Sequence, residues 1–185
     1  RFKRKPEGMW LPETAVDLET LEILSQHHIQ FTILSPHQAR SVKALHENEW
    51  KDVGGGRIDP HQPYLCHLPS GRSIVLFFYE GSVSHDVAFG DLLKNGEEFA
   101  RRLVVAPAHQ PKDPYLRHIA TDGETYGHHH PFGDMALAHC LDYIQSEKLG
   151  QLTVYGEFLE RFSPTREVRI LENTSWSCNH GIERW

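Results

Sequence analysis

The sequence predicts an α/β fold built on parallel strands. Three observations predict it. Strand-like and helix-like patterns alternate along the chain, the strongest strand pattern is a continuous apolar run, and chemistry-bearing residues gather where strands should end. At 185 residues, 39% hydrophobic and 24% charged, the chain carries enough apolar material for one domain with a substantial core. Apolar and aromatic residues are spread throughout, which excludes intrinsic disorder. No run approaches the roughly 18 apolar residues of a membrane span, so no membrane partner is expected. A formal net charge of −6 argues against a nucleic-acid partner, which favours a basic face. Cys66, Cys140 and Cys178 are scattered and form no Cys-x-x-Cys pair. Neither a disulfide framework nor a thiolate zinc site is expected, and unpaired thiols lean towards a cytoplasmic location.

Residues 1–6 are basic and unpatterned. Gly8-Met9-Trp10-Leu11-Pro12-Glu13 reads as a short strand that stops at Pro12, since proline cannot donate to a ladder. Thr14 and Asp17 have capping-box spacing, and Leu18, Leu21 and Leu24 then share one face of a helix running to about residue 28. Residues 30–34 (QFTIL) suit a buried strand. Ser35 and Pro36 read as the cap and first position of a second helix. Residues 46–72 form a long polar stretch rich in Gly and Pro, which predicts a loop of the kind that carries function. Residues 73–79 (SIVLFFY) give the strongest strand, and their continuous apolar character suits a parallel sheet covered on both faces. Helices are predicted around 82–93 and 96–104, followed by a short strand at 117–121 (RHIAT). A helix opens at Pro131 with Leu137, Leu141 and Ile144 on one face. A short strand at 152–154, a turn or helix at 156–162 and a strand at 168–171 complete the order.

Functional groups in parallel α/β folds collect at the C-terminal ends of strands. Three clusters meet that condition. Glu13 follows the first strand and precedes a helix N-terminus, whose dipole favours the ionised carboxylate; the same position also suits an ordinary first-turn acid. Thr121-Asp122-Gly123-Glu124-Thr125-Tyr126-Gly127-His128-His129-His130 sets two carboxylates, two glycines and three histidines at another strand end. That density can bind a metal or position a substrate hydroxyl. Residues 173–185 interleave Trp176 and Trp185 with Asn, His and Arg. An indole stacks on the apolar face of a sugar ring while the polar groups take its hydroxyls. Tyr79 and Glu80 end the strongest strand and are further candidates for the same region. Gly54-Gly55-Gly56 lacks the Lys-Ser/Thr of a phosphate loop, Ser82 and Ser84 lie outside any Gly-x-Ser-x-Gly elbow, and no His-Glu-x-x-His is present. Two carboxylates on different strand ends are what glycoside hydrolysis needs.

Gly8-Met9-Trp10-Leu11-Pro12-Glu13-Thr14-Ala15 resembles the nucleophile segment of glycoside hydrolase family 57, where a Gly-x-Trp-Leu-x-Glu strand end carries the catalytic Glu. Asp122-Gly123-Glu124-Thr125-Tyr126-Gly127-His128 is similar to the family's later Asp-x-Glu-x-[Phe/Tyr]-Gly segment, whose first Asp is the acid/base. The order of the two agrees. The stretch around Trp176 and His180 resembles the last substrate-lining segment. The resemblance implies an irregular (β/α)7 TIM-like barrel, retention of anomeric configuration, and α-glucan or oligosaccharide substrates. Family members include amylases, 4-α-glucanotransferases, branching enzymes and pullulanases. It further implies Glu13 as nucleophile, Asp122 as general acid/base, and Trp10, Glu124, His128, Trp176 and His180 as substrate contacts, with no cofactor and no metal. The His128-His129-His130 run and the Ser-Trp-Ser-Cys-Asn-His-Gly stretch look closest to bacterial members.

The family's early His-Gln-Pro motif precedes its nucleophile, whereas His61-Gln62-Pro63 follows Glu13 inside the Gly/Pro-rich loop. The true counterpart is therefore expected upstream of Arg1. A barrel of this type runs to about 250 residues, so residues 1–185 are expected to be the later portion of a catalytic barrel, incomplete at the N-terminus. Two other readings fit the same residues. One is a metal-dependent carbohydrate deacetylase with Asp122 and the His run as ligands, although adjacent His side chains on an extended chain diverge. The other is a non-catalytic glycan-binding protein that keeps the tryptophans.

Overall fold

A computed structural model describes residues 3, 5–105, 115–178 and 181–183. The chain divides into two compact units, Arg1–Tyr79 with Tyr155–Trp185, and Glu80–Val154.

The first unit is a seven-stranded sheet with helices. Its strands are β1 (Gly8–Met9), β2 (Phe31–Leu34), β3 (Ala39–Ala44), β4 (Lys51–Asp52), β5 (Tyr64–His67), β6 (Ser73–Phe78) and β7 (Arg166–Ile170), in the spatial order β1-β2-β6-β5-β7-β3-β4. The expected α/β class holds. The pairs β1/β2, β2/β6 and β5/β7 are parallel, while β5/β6, β3/β7 and β3/β4 are antiparallel. The sheet is thus mixed rather than uniformly parallel, and among the described residues it is a row with β1 and β4 at its ends.

The antiparallel pairs come from segments that sequence pattern did not resolve as strands. After Pro36 the expected helix lasts one 3-10 turn, Pro36–Gln38, and the chain becomes β3. Residues 39–44 have no helical stripe of their own, and ladder hydrogen bonds to β7 and β4 decide their conformation. The long polar stretch likewise contains β4 and β5. β5 turns back into β6 through a tight turn in which Leu68 N–H donates to Arg72 O (2.9 Å) and Gly71 adopts φ 85°. The intervening loop is tied by Asp59, whose carboxylate accepts from His61 N–H (3.1 Å) and Gln62 Nε2 (2.8 Å), while Tyr64 Oη donates to Asp59 O (2.8 Å). Burial works to raise the Asp59 carboxyl, but the hydrogen bonds from His61 and Gln62 outweigh it and hold the group below its usual value.

β6 is the centre of the sheet's core. Leu76, Phe77 and Phe78 are fully buried. On one face Phe77 packs against Phe31, Tyr155 and Phe158, with ring centroids 5.7, 4.7 and 6.5 Å away. Phe78 meets Tyr64 at 5.8 Å. Tyr155 and Phe158 come from α5 (Tyr155–Arg161), the helix expected near 156–162. α1 (Leu18–Gln26) buries Leu21 and Leu24 as predicted, but its cap is Asp17, which accepts from Thr20 N–H at 2.7 Å. Thr14 does not act as that cap, because it is buried and engaged elsewhere.

The second unit is helical: α2 (Gly81–Phe89), α3 (Gly96–Leu103) and α4 (Gly133–Ser146). Asn95 caps α3 by accepting from Glu97 and Glu98 N–H (3.0 and 3.1 Å). Glu97 and Glu98 in the first turn and Arg101 and Arg102 in the last complement its dipole. The unit's core joins Val83, Val87, Leu93, Phe99, Ala100, Cys140 and Ile144. On α4 the fully buried position is Cys140, whereas Leu141, expected to face inward, is 36% exposed. Residues 117–121, expected as a strand, enter no ladder; instead Glu80 N–H donates to His118 O (2.9 Å) and Ala120 N–H to Ser84 Oγ (3.1 Å). Residues 152–154 form no strand either. Among the described residues no helix is long and apolar enough to cross a membrane.

Gly96 lets α3 pack tightly on α4: a Cβ there would lie 2.7 Å from Ala136 O and 2.9 Å from His139 Cβ. Gly96→Ala should therefore destabilise this unit by roughly 1–3 kcal/mol, the usual cost of overpacking, read as a lower urea midpoint. Burial pushes the Cys66 thiol up to about 12 and that of Cys140 up to about 11. Since the thiolate is the reacting species, both should resist a disulfide reagent at about pH 8 until the protein is unfolded. Half-buried Cys178 should react first, as followed by mass spectrometry of the labelled peptides.

Candidate active site

The first cluster belongs to the sheet unit. β1 ends at Met9, whose carbonyl accepts from Thr32 Oγ1 (2.8 Å) on β2. Gly8 has no room for a side chain, because a Cβ would run into the buried Phe31 ring. The chain then leaves the sheet through Trp10 and buried Leu11 into the turn Pro12–Thr14. There Glu13 and Thr14 take left-handed backbone conformations, φ 55° and φ 49°. For a non-glycine residue this costs roughly 1–2 kcal/mol each, and such strain persists only where surrounding bonds hold it.

Those bonds come from distant sequence. Trp176 N–H donates to Glu13 O (2.9 Å) and Trp176 Nε1–H donates to Glu13 Oε2 (3.0 Å). Ser177 Oγ donates to the same Oε2. Among the described residues no hydrogen bond reaches Oε1, so the carboxylate is oriented through one oxygen and presents the other. Trp176 packs edge-on to Trp10 at 5.1 Å and to Tyr79 at 6.1 Å. Trp10 is 39% exposed, so an indole stands open beside the carboxylate. Burial raises the Tyr79 hydroxyl above its ordinary value, with a hydrogen bond from Ser35 acting in the opposite sense.

Beneath Glu13 lies Gln38, fully buried in the turn before β3. Its Oε1 accepts from Thr14 Oγ1 (2.8 Å) and Ser35 N–H (2.9 Å). Its Nε2 donates to Thr14 O (2.9 Å), Thr174 O (3.1 Å) and Thr174 Oγ1 (3.2 Å). One residue away His37 lies 2.8 Å from Ser35 Oγ through Nδ1 and 3.2 Å from Ser175 O through Nε2. A carbonyl can only accept, so Nε2 carries the proton. Sequence reasoning missed Gln38, His37 and the role of Ser177. The one available signal was the Ser-Pro-x-Gln spacing, which reads as a helix cap and not as a support for another segment.

The second cluster belongs to the helical unit. Asp122 precedes the 3-10 turn Gly123–Thr125 and, with Glu124, His128 and His129, is exposed. Glu124 O accepts from the N–H groups of His128 (3.1 Å) and His129 (3.0 Å), and His130 N–H donates to Thr125 O (3.3 Å). Gly127, at φ 125°, allows this tight return. Tyr126 Oη accepts from Thr121 Oγ1 (3.1 Å), and burial raises its hydroxyl above the usual value. His130 is an anchor, with Nε2 2.9 Å from Ala88 O at the end of α2, while the rings of His128 and His129 lie 5.0 Å apart. No three His, Cys, Asp or Glu side chains among the described residues are grouped to hold a metal ion. Glu80 is engaged with Arg117 (3.5 Å) and accepts from Ser82 Oγ (3.1 Å). Of the sequence-predicted residues, Trp10, Glu13 and Trp176 are thus in direct contact or adjacent, and Asp122, Glu124 and His128 share one exposed turn. His180 lies outside the described residues.

The profile of glycosyl hydrolase family 57 matches residues 1–171. Among curated proteins no match is found. Solved structures that share the fold include an exo-type maltose-forming amylase from Pyrococcus sp. ST04 (TM-score 0.67, 18% identity), a 4-α-glucanotransferase from Thermococcus litoralis (0.66, 20%) and a family 57-type branching enzyme from Pyrococcus horikoshii (0.64, 17%). They cover 96%, 92% and 95% of this chain, which spans 30%, 24% and 41% of theirs.

Proposed function

Because the chain belongs to glycosyl hydrolase family 57, we propose that it supplies the two catalytic carboxylates of a retaining enzyme that cleaves or transfers α-glucan. The observation that carries this reading is the Glu13 turn: a strained left-handed carboxylate with both donors on one oxygen, beside an open indole. In the proposed first step Glu13 Oε1 attacks the anomeric carbon. The carbon–oxygen bond to Glu13 forms as the glycosidic bond breaks, and the leaving oxygen takes its proton from Asp122. In the second step Asp122 removes a proton from water or from a sugar hydroxyl. That oxygen attacks the anomeric carbon and releases the Glu13 carboxylate. Water gives hydrolysis and a sugar gives transfer. The reading requires both carboxyl groups to reach the same glycosidic bond, which retaining enzymes do at a spacing of about 5–5.5 Å.

The Trp176 and Ser177 donors suit the nucleophile. They hold Oε2 in place and stabilise the charge that the carboxylate regains as leaving group in the second step, because hydrogen bonds to a charged oxygen are the stronger kind. Trp10 offers a face for the apolar side of a glucose ring. Glu124 and His128, exposed beside Asp122, are the proposed partners for sugar hydroxyls, and His180 is proposed with them on the motif alone. Structural similarity to an amylase, a 4-α-glucanotransferase and a branching enzyme supports α-glucan as the substrate class.

In the intact protein, Glu13→Gln and Asp122→Asn should each lower turnover of a soluble α-glucan by about 10³-fold or more, measured by chromatography of released oligosaccharides. Wild-type rates in either variant would remove that residue from its role. Trp176→Phe keeps a ring against Trp10 and removes the Nε1–H donor. A hydrogen bond to a charged group is worth roughly 1.5–3 kcal/mol, so kcat should fall about 10- to 100-fold with little change in KM.

A further inference from the structure

We propose that Gln38 is the positioning residue of the nucleophile: it holds the left-handed Glu13–Thr14 turn and the Thr174–Ser177 segment in register, so that Trp176 and Ser177 meet the Glu13 carboxylate. This rests on the reading of Glu13 as the nucleophile, and it extends that reading to a buried side chain that touches no substrate.

The Gln38 amide joins two segments that are distant in sequence. Thr14 follows Glu13 directly, and Gln38 binds it twice, accepting from Oγ1 (2.8 Å) and donating to O (2.9 Å). Thr174 lies two residues before Trp176, and Nε2 donates to its carbonyl (3.1 Å) and hydroxyl (3.2 Å). Ser35 N–H donates to Oε1 (2.9 Å), which fixes the amide to its own turn. The same two segments also meet directly, through the backbone bond from Val16 N–H to Thr174 O (3.0 Å). Both oxygen lone pairs and both N–H donors are therefore used, and the Gln38 and Thr14 side chains are themselves closed to water. No other side chain type offers two acceptor sites and two donors at that length. A glutamate lacks the donors, and an aliphatic side chain lacks everything. Glu13 itself bonds only to the Trp176–Ser177 segment among the described residues, so the carboxylate's position depends on how Thr14 and Thr174 are spaced. Displacement on the order of an ångström by a residue away from the chemistry costs about 10²-fold in rate.

The test is a double-mutant cycle on kcat in the intact protein with a soluble α-glucan. Gln38→Met preserves length and volume while removing every hydrogen bond. It should lower kcat about 10²-fold and leave KM within about threefold, with the protein folded by circular dichroism. Combined with Trp176→Phe, the loss should fall short of the product of the two single losses by fivefold or more, since both act through the Glu13 carboxylate. A wild-type kcat in folded Gln38→Met, or losses that simply multiply, would overturn the proposal. Should Gln38→Met not fold, Thr14→Val, which removes the Oγ1–Oε1 bond alone, decides the matter: an unchanged kcat there overturns it. A Glu13→Gln variant with wild-type rate would instead bring down the nucleophile reading. An inactive Glu13→Gln beside a fully active Gln38→Met would leave Glu13 in place and remove Gln38.

Discussion

Two consecutive left-handed residues cannot be held by the turn that contains them. Within their own segment the turn offers two short bonds, Thr14 N–H to Leu11 O and Ala15 N–H to Pro12 O, and neither involves Glu13. The remaining support arrives from residues 38 and 174–177, and its geometry fixes where the carboxylate stands. The sheet order follows the same demand. β1 and β2 run side by side in parallel and deliver Glu13 and Ser35 to the same end of the sheet, and the antiparallel β3/β7 pair brings residue 38 beside the chain that continues into 172–178.

The apolar core makes that arrangement possible without taking part in it. Phe77 and Phe78 point to opposite faces of β6, as alternation along a strand requires. Each is buried by a different partner set, α5 and Phe31 on one side and Tyr64 on the other. A strand covered on both faces has little freedom to slip register, so the ends of its neighbours are fixed to within a residue. The polar network at Gln38 can then be satisfied completely, the condition under which buried polar groups rigidify a site.

The helical unit solves a smaller problem of the same kind. Asp122, Glu124 and His128 are exposed because the intervening Thr125 and Tyr126 are turned inward and His130 is tied to α2. The histidine run thus divides into one structural residue and two outward ones. Identical side chains in adjacent positions carry no sequence mark of that division.

The sequence by itself determined the α/β class, the buried strand at 73–79, the α1 stripe and the helices of the second unit, because apolar periodicity reports burial of an element's own face. It also carried the segments that identify the family, since those are contiguous. It misread Ser35 and Pro36 as opening a helix, where one 3-10 turn leads into β3, and residues 46–72 as loop. β3, β4 and β5 are short and stabilised by ladder bonds to other strands, at the extreme between Ala39 and Ile170, which no local pattern encodes. The capping box at Thr14 failed for a related reason: a buried partner outbid the local one, and Asp17 took the cap. Only the tertiary structure decided that Trp176 and Ser177 bond the Glu13 carboxylate and that Gln38 braces both segments. Hydrogen bonds between chain-distant side chains leave no period and no spacing; they exist only once packing has brought their donors and acceptors within about 3 Å.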